Sequence, residues 1–163
     1  MNIFADTNWL EAIYFKPTKD SKEMAKRRHA LVERRMRRLS SPLLISHIVL
    51  LEARNIFSRL AKVSKPAEWE KLVGDFNGRI FVDPMHWDIL RQQTNVLFER
   101  FSHKTVVGTF DAALIASAQL AGAREFFSFD EHLKALATCL DMDVYPPLAA
   151  EGKKLLAKFR SWK

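Results

Sequence analysis

Short apolar runs alternate with stretches of helical periodicity along the whole chain. Asn2-Ile3-Phe4-Ala5-Asp6 reads as a buried strand, followed by a short helix over 8–15 that Lys16-Pro17-Thr18-Lys19-Asp20 breaks. A basic helix is expected over 21–39, with Met24, Leu31, Val32, Met36 and Leu39 on its apolar side. Ser40-Ser41-Pro42 is a turn before a second strand at 43–45, and Ser46 is placed to cap a helix over 47–62. Pro66 suits the first turn of the next helix, which reaches Phe76. Asn77-Gly78 signals a turn before a strand at 80–82, and a helix over 86–101 follows. The segment opened by Asp111 is apolar nearly all round and stops near Gly122. A strand at 126–128, a helix over 130–138 and a strand at 142–145 complete the alternation, which Pro146-Pro147 ends.

Strands separated by helices imply a parallel sheet covered on both faces. In such α/β folds the functional crevice lies beyond the carboxyl ends of the strands. At 163 residues the chain is read as one domain. Residues 1–147 carry the alternating α/β pattern. The tail 148–163 is expected to form a basic amphipathic helix of the same domain, with Leu148, Leu155, Phe159 and Trp162 as its apolar stripe.

Four acids stand on or beside apolar segments: Asp6, Glu52, Asp111 and Asp130. A carboxylate in such surroundings loses hydration and needs a cation or hydrogen bonds to compensate. Several converging carboxylates repel unless a metal neutralises them, and oxygen-only ligands suit Mg²⁺ or Mn²⁺. Each acid also has a plainer reading. Asp6 can cap the helix that follows it. Glu52, beside Asn55 and Arg59 at the edge of a Val49, Ala53, Ile56, Leu60, Val63 stripe, can be a surface partner of Arg59. Asp111 can complement the helix dipole, although burial of its helix favours a functional role. Ser128-Phe129-Asp130-Glu131 matches a capping box, with Ser128 as cap and Glu131 reaching back. The order strand-Asp, helix-Glu, helix-start-Asp, strand-Ser-x-Asp is more specific than any member.

Taken together, Phe4-Ala5-Asp6-Thr7-Asn8, Glu52-Ala53-Arg54-Asn55, Phe110-Asp111-Ala112-Ala113-Leu114-Ile115-Ala116 and Phe127-Ser128-Phe129-Asp130 resemble the PIN-domain nucleases, in particular the VapC-like toxins of toxin–antitoxin pairs. The resemblance covers residues 1–145. It implies a three-layer α/β/α sandwich on a mainly parallel sheet and Mg²⁺- or Mn²⁺-dependent endoribonuclease activity. It also implies a homodimer and, for a toxin, an inhibiting antitoxin protein. By position, Asp6, Glu52, Asp111 and Asp130 look like the metal-binding acids, and Ser128 like the hydroxyl that supports them.

Charge sharpens this expectation. The formal net charge is +7, with a pI of about 9.7, which points to a polyanion, RNA or DNA before a membrane. Lys22, Lys26, Arg27, Arg28, Arg34, Arg35, Arg37 and Arg38 crowd one predicted helix. Arg34, Arg35, Arg37 and Arg38 are its candidate nucleic-acid contacts, against the alternative of a solvated helix face. Lys153, Lys154, Lys158, Arg160 and Lys163 form a second cluster. His47, His103 and His132 read as surface or packing residues. No apolar run approaches a membrane span, the N-terminus shows no secretory pattern, and the single Cys139 fits a reducing cytoplasm. Two other readings stand beside the nuclease: a non-catalytic nucleic-acid-binding module of the same fold, and a phosphatase acting through Asp6. The latter lacks a second aspartate two positions on.

Overall fold

The computed structural model describes residues 2–161. Among them run five strands and eight α-helices: β1 (Ile3–Ala5), α1 (Thr7–Tyr14), α2 (Glu23–Met36), β2 (Leu43–Ile45), α3 (His47–Ala61), α4 (Ala67–Gly74), β3 (Ile80–Val82), α5 (Trp87–Phe101), α6 (Thr109–Leu120), β4 (Glu125–Phe127), α7 (Glu131–Cys139), β5 (Asp143–Tyr145) and α8 (Ala150–Arg160). The sheet order is β3-β2-β1-β4-β5, with every neighbouring pair parallel. Right-handed crossovers then place α1–α4 on one face and α5–α7 on the other, the expected α/β/α sandwich. Ile3, Phe4 and Ala5 are all buried, as are Glu125, Phe126 and Phe127, because both central strands are covered on both sides.

Register decides what the fold can do. Phe4 stands opposite Leu44 and Phe126, Ile45 opposite Val82, and Phe127 opposite Tyr145. One residue further on, Asp83, Ser46, Asp6, Ser128 and Pro146 form a row along the carboxyl edge. Three backbone bonds continue the ladders into that row: the Asp6, Asp83 and Ser128 amides donate to Phe127, Ile45 and Tyr145 carbonyls, at 3.1, 2.8 and 3.1 Å.

Helix boundaries follow local chemistry. α1 starts at Thr7 because Asp6 caps it. The apolar α6 buries Ala112, Leu114, Ile115, Ala116 and Ala118, and ends where Gly122 adopts φ +65°, letting the Ala123 amide reach the Ala118 carbonyl at 3.0 Å. The basic helix is shorter than its periodicity suggests: it spans 23–36, and Met24 is exposed instead of facing inward. In α3 the buried stripe stops early, with Leu60 and Val63 exposed near the helix end.

α7 and α8 lock together. Lys134 is 2% exposed, yet its ammonium is satisfied by Glu131 at 2.5 Å and by the Pro146 and Pro147 carbonyls at 3.2 and 3.3 Å. Glu131 also accepts from the Ala149 amide at 3.0 Å, at the start of α8. A methyl group at Gly152 would stand 2.1 Å from Glu131 Oε2 and 2.5 Å from Leu148 Cδ2, so a larger residue there would push both side chains aside and disturb the Glu131 bonds. Phe159 is buried against Phe101 and His132, and Leu148 and Leu155 pack on the core. Trp162, the expected end of that stripe, lies outside the described residues. No helix among the described residues is long and apolar enough to cross a membrane.

α2 packs through arginines. Arg35 Nη2 donates to both Glu125 carboxylate oxygens, at 2.7 and 2.8 Å, and the guanidinium covers the Phe127 and Tyr145 rings at 5.3 and 4.9 Å. This departs from the expectation that Arg35 meets nucleic acid: a glutamate buried on a central strand demands a partner, and Arg35 is the one that reaches it. Arg37 lies 3.4 Å from Glu33, while Arg34 and Arg38 are exposed. Arg35→Gln should therefore lower stability by ~3 kcal/mol, because it strands a buried carboxylate. Arg34→Gln should stay within about 0.5 kcal/mol of wild type. Denaturant midpoints of the two variants measure the difference, and equal small losses would mean that the ion pair contributes little.

Candidate active site

The site grows from the end of β1. Asp6 is 4% exposed and accepts from the Asn8 amide at 3.1 Å as the cap of α1. Its other oxygen accepts from the Ser128 hydroxyl at 2.6 Å. Ser128, fully buried at the end of β4, accepts in turn from the Asp130 amide at 2.9 Å and from the Asn8 side-chain amide at 3.4 Å. Asn8 Oδ1 takes the Phe129 amide at 2.9 Å. One residue of α1 thus fastens the loop 128–130 to the β1 exit.

The remaining acids arrive on helices. Glu52, half-buried on the second turn of α3, accepts from the Thr7 hydroxyl at 2.5 Å. Its partner is therefore Thr7, where the surface alternative had Arg59. Asp111 lies in the first turn of α6, its carboxylate folded back over Gly108. Asp130 is the actual cap of α7, accepting from the His132 and Leu133 amides at 2.8 and 3.1 Å. The expected capping box thus shifts by two residues: Ser128 is used by Asp6, and Glu131 turns to Lys134 and Ala149 instead of reaching back.

Electrostatics ties these groups together. Burial pushes the Asp6 carboxyl up to about 7, although the Ser128 and Asn8 hydrogen bonds oppose it; Glu52 and Asp130 add repulsion. Asp111 is also raised, first by burial and then by Asp130 and Glu52, while His132 pulls it back. Glu52 and Asp130 thus act on both Asp6 and Asp111, which brings the four predicted acids to one sheet edge. At the end of the row, Asp83 is raised by burial and has His47 as its opposing neighbour. Three residues escaped the sequence reading. Thr7 and Asn8 sat in view directly after a predicted strand end, but their roles depend on helices far away in sequence. His132, expected to pack, does stack on Phe159, and its charge also pulls the Asp111 carboxyl down.

Among the described residues no three acidic, histidine or cysteine side chains form a closed metal cage. The donor chemistry nevertheless fits a hard divalent cation: the four gathered acids offer only carboxylate oxygens, and burial pushes one of them, Asp6, up to about 7. An ion that keeps several waters tolerates acids spaced more widely than a cage.

The raised Asp6 gives a signed pH effect. The folded protein holds this proton more tightly than the unfolded chain, whose aspartate titrates near 3.8. Its stabilising contribution is full below pH ~4 and is lost as pH rises through about 7. In chelator-containing buffer, wild type should thus melt progressively lower than Asp6→Asn between pH 4 and 7, with the gap constant above pH 8. A gap that does not vary with pH would show that Asp6 is hydrated.

The comparisons with known proteins fit this geometry. The PIN domain family model matches residues 3–138. Mycobacterium tuberculosis VapC20, described as a sarcin-ricin loop cleaving toxin, is similar with a TM-score of 0.63 at 18% identity, over 83% of this chain and 95% of that one. Rickettsia felis VapBC2, solved bound to a DNA fragment from their promoter, gives 0.61 at 16% identity, over 88% and 97%. Neisseria gonorrhoeae FitAcB gives 0.55 at 16% identity, over 89% and 97%. No curated protein matches the sequence significantly. At such identities the solved structures speak for the fold alone; the family model spans most of the chain and both central strands. The chain belongs to the PIN-domain family.

Proposed function

We propose that this protein is a Mg²⁺- or Mn²⁺-dependent endoribonuclease that hydrolyses RNA phosphodiester bonds, and that it acts as the toxin of a toxin–antitoxin pair. The observation that carries the reading is the buried Asp6 carboxylate, bonded to Ser128 and repelled by Glu52 and Asp130, the same two acids that repel Asp111, at the carboxyl edge of the sheet. Asp6, Glu52, Asp111 and Asp130 are the residues that would hold the ion. When bound, such an ion neutralises phosphate charge, activates a water and offsets the charge on the leaving oxygen.

The chain's own contribution is orientation. Ser128 turns one Asp6 oxygen and leaves the other to the α1 cap. Thr7 aims Glu52 from the opposite direction. Asn8 keeps Ser128 and Asp130 from drifting, since it grips both the serine hydroxyl and the next amide. His132 moderates the field at Asp111, which keeps that carboxyl closer to its ionised form. The toxin assignment draws on the likeness to VapC20 and to the VapBC2 and FitAcB assemblies, and with it come an antitoxin protein partner and a homodimer.

Purified protein should cut single-stranded RNA with Mn²⁺ or Mg²⁺ and stop when EDTA is added. Asp111→Asn should nearly abolish cutting, and Ser128→Ala, which removes a group that supports a ligand, should reduce it by roughly 10–100-fold. Calorimetry should show weaker Mn²⁺ binding by Asp6→Asn and Asp111→Asn. RNA cutting that survives EDTA, or unchanged Mn²⁺ affinity in both variants, would overturn the reading. RNA binding without metal-dependent cutting would leave the non-catalytic module in its place.

A further inference from the structure

We propose that the amino-terminal half of α2, with Arg28 at its centre, takes the phosphate backbone of the RNA beside the acidic edge. The Arg34–Arg38 end does not. This deepens the endoribonuclease reading and rests on it.

Direction along α2 carries the argument. Arg28 and Arg35 are seven residues apart, so they share a helix face and stand about 10 Å apart along the axis. Arg35 reaches back to Glu125, at the beginning of β4, and covers the Phe127 and Tyr145 rings. Arg28 lies over Phe129, 4.8 Å from the ring centroid, and Phe129 sits between Ser128 and Asp130. The helix thus runs opposite to β4, with its amino end where the acids gather and its carboxyl end at the far side of the sheet. Arg34 stands about 9 Å beyond Arg28 along that axis, and Arg38 lies past the helix end at the same far side.

Arg28 is suited to the task in a way Arg35 is not. Arg35 is held by a buried carboxylate, whereas Arg28 is exposed and rests on an aromatic face. Phe129 is itself stacked on the fully buried Trp9, at 5.3 Å and 21°, so the platform is firm. A guanidinium lying on a ring keeps its in-plane N–H donors available, and those match two phosphate oxygens at once. Lys22, exposed just before the helix, and Lys26 extend the positive surface at the same end. Among the described residues Arg27 is paired with Glu23, at 3.5 Å and largely exposed, a pair that yields readily. A strand held here would pass the Ser128–Asp130 loop with its phosphates toward the acids, which repel RNA unless cations flank them.

The test is fluorescence anisotropy with a labelled mixed-sequence single-stranded RNA 20-mer, over 50–300 mM NaCl with Mg²⁺. The full chain carries Asp111→Asn so that the RNA stays intact. Adding Arg28→Gln should weaken binding roughly fivefold at 100 mM salt and lower the salt slope by about 0.7, the value for one lost contact to single-stranded RNA. Arg28→Lys should restore the slope while recovering affinity only in part. The pair Lys22→Gln, exposed, and Lys26→Gln, half-buried with its ammonium on the Lys19 carbonyl, should lower the slope further and covers the case that Arg28→Gln disturbs folding. The pair Arg34→Gln and Arg38→Gln should keep the parent slope. A slope that drops with the Arg34/Arg38 pair as much as with Arg28, or that ignores Arg28 and the Lys22/Lys26 pair, overturns the inference even while wild type still cuts RNA. If wild type neither binds nor cuts RNA, the nuclease reading falls and this surface falls with it.

Discussion

A single hydroxyl holds the acidic edge together. Ser128 donates to Asp6 and accepts from the Asp130 amide and the Asn8 side chain, so the exits of β1 and β4 and the first turn of α7 share one oxygen. Without it a carboxylate buried to 4% exposure would face two other acids with one backbone amide as its remaining support. A buried polar network of this sort specifies position strongly when every member is satisfied, and fails as a unit when one is lost. The site's geometry is therefore a property of the strand ends as a pair, not of either strand.

The hydrophobic architecture serves that pairing. Trp9 lies against Phe127 and Phe129 with ring centroids 4.6 and 5.3 Å away, which wedges α1 behind the 128–130 loop. Parallel strands place their carboxyl ends together, so residues more than a hundred positions apart become neighbours without a long insertion. α7 contributes Asp130 at its cap and Lys134 one turn later, and the lysine ties the helix to the chain after β5. Local order at the acids and the docking of the last two helices thus share one helix.

Much of this was legible in the amino-acid pattern. The strand positions, the apolar α6 and its stop at Gly122 follow from periodicity and one left-handed residue. The four acids were recognisable because charge beside an apolar run is costly. The cap of α7 is ambiguous in sequence for a physical reason: Ser128 and Asp130 are both good caps, and Asp6, 122 positions from Ser128, takes the serine. Thr7 is similar, since nothing near it in sequence announces Glu52. Arg35 shows the same limit in reverse. Among many arginines on one helix, the one that meets a strand glutamate 90 positions away looks no different from its neighbours.

The ion pairs of α2 also change what a basic isoelectric point means. Arg35, Arg37 and Arg27 each stand beside a carboxylate, and the formal charge of +7 counts all of these groups as if they were spread evenly. The charge is instead unevenly placed: Arg27, Arg35 and Arg37 are paired with carboxylates, Arg28, Arg34 and Arg38 are exposed, and the acids gather at the strand ends. Behaviour that averages over the surface, such as retention on a cation exchanger, reflects the total. A ligand the size of one nucleotide samples a region only a Debye length across, and within that distance the amino end of α2 and the acidic edge present opposite signs side by side.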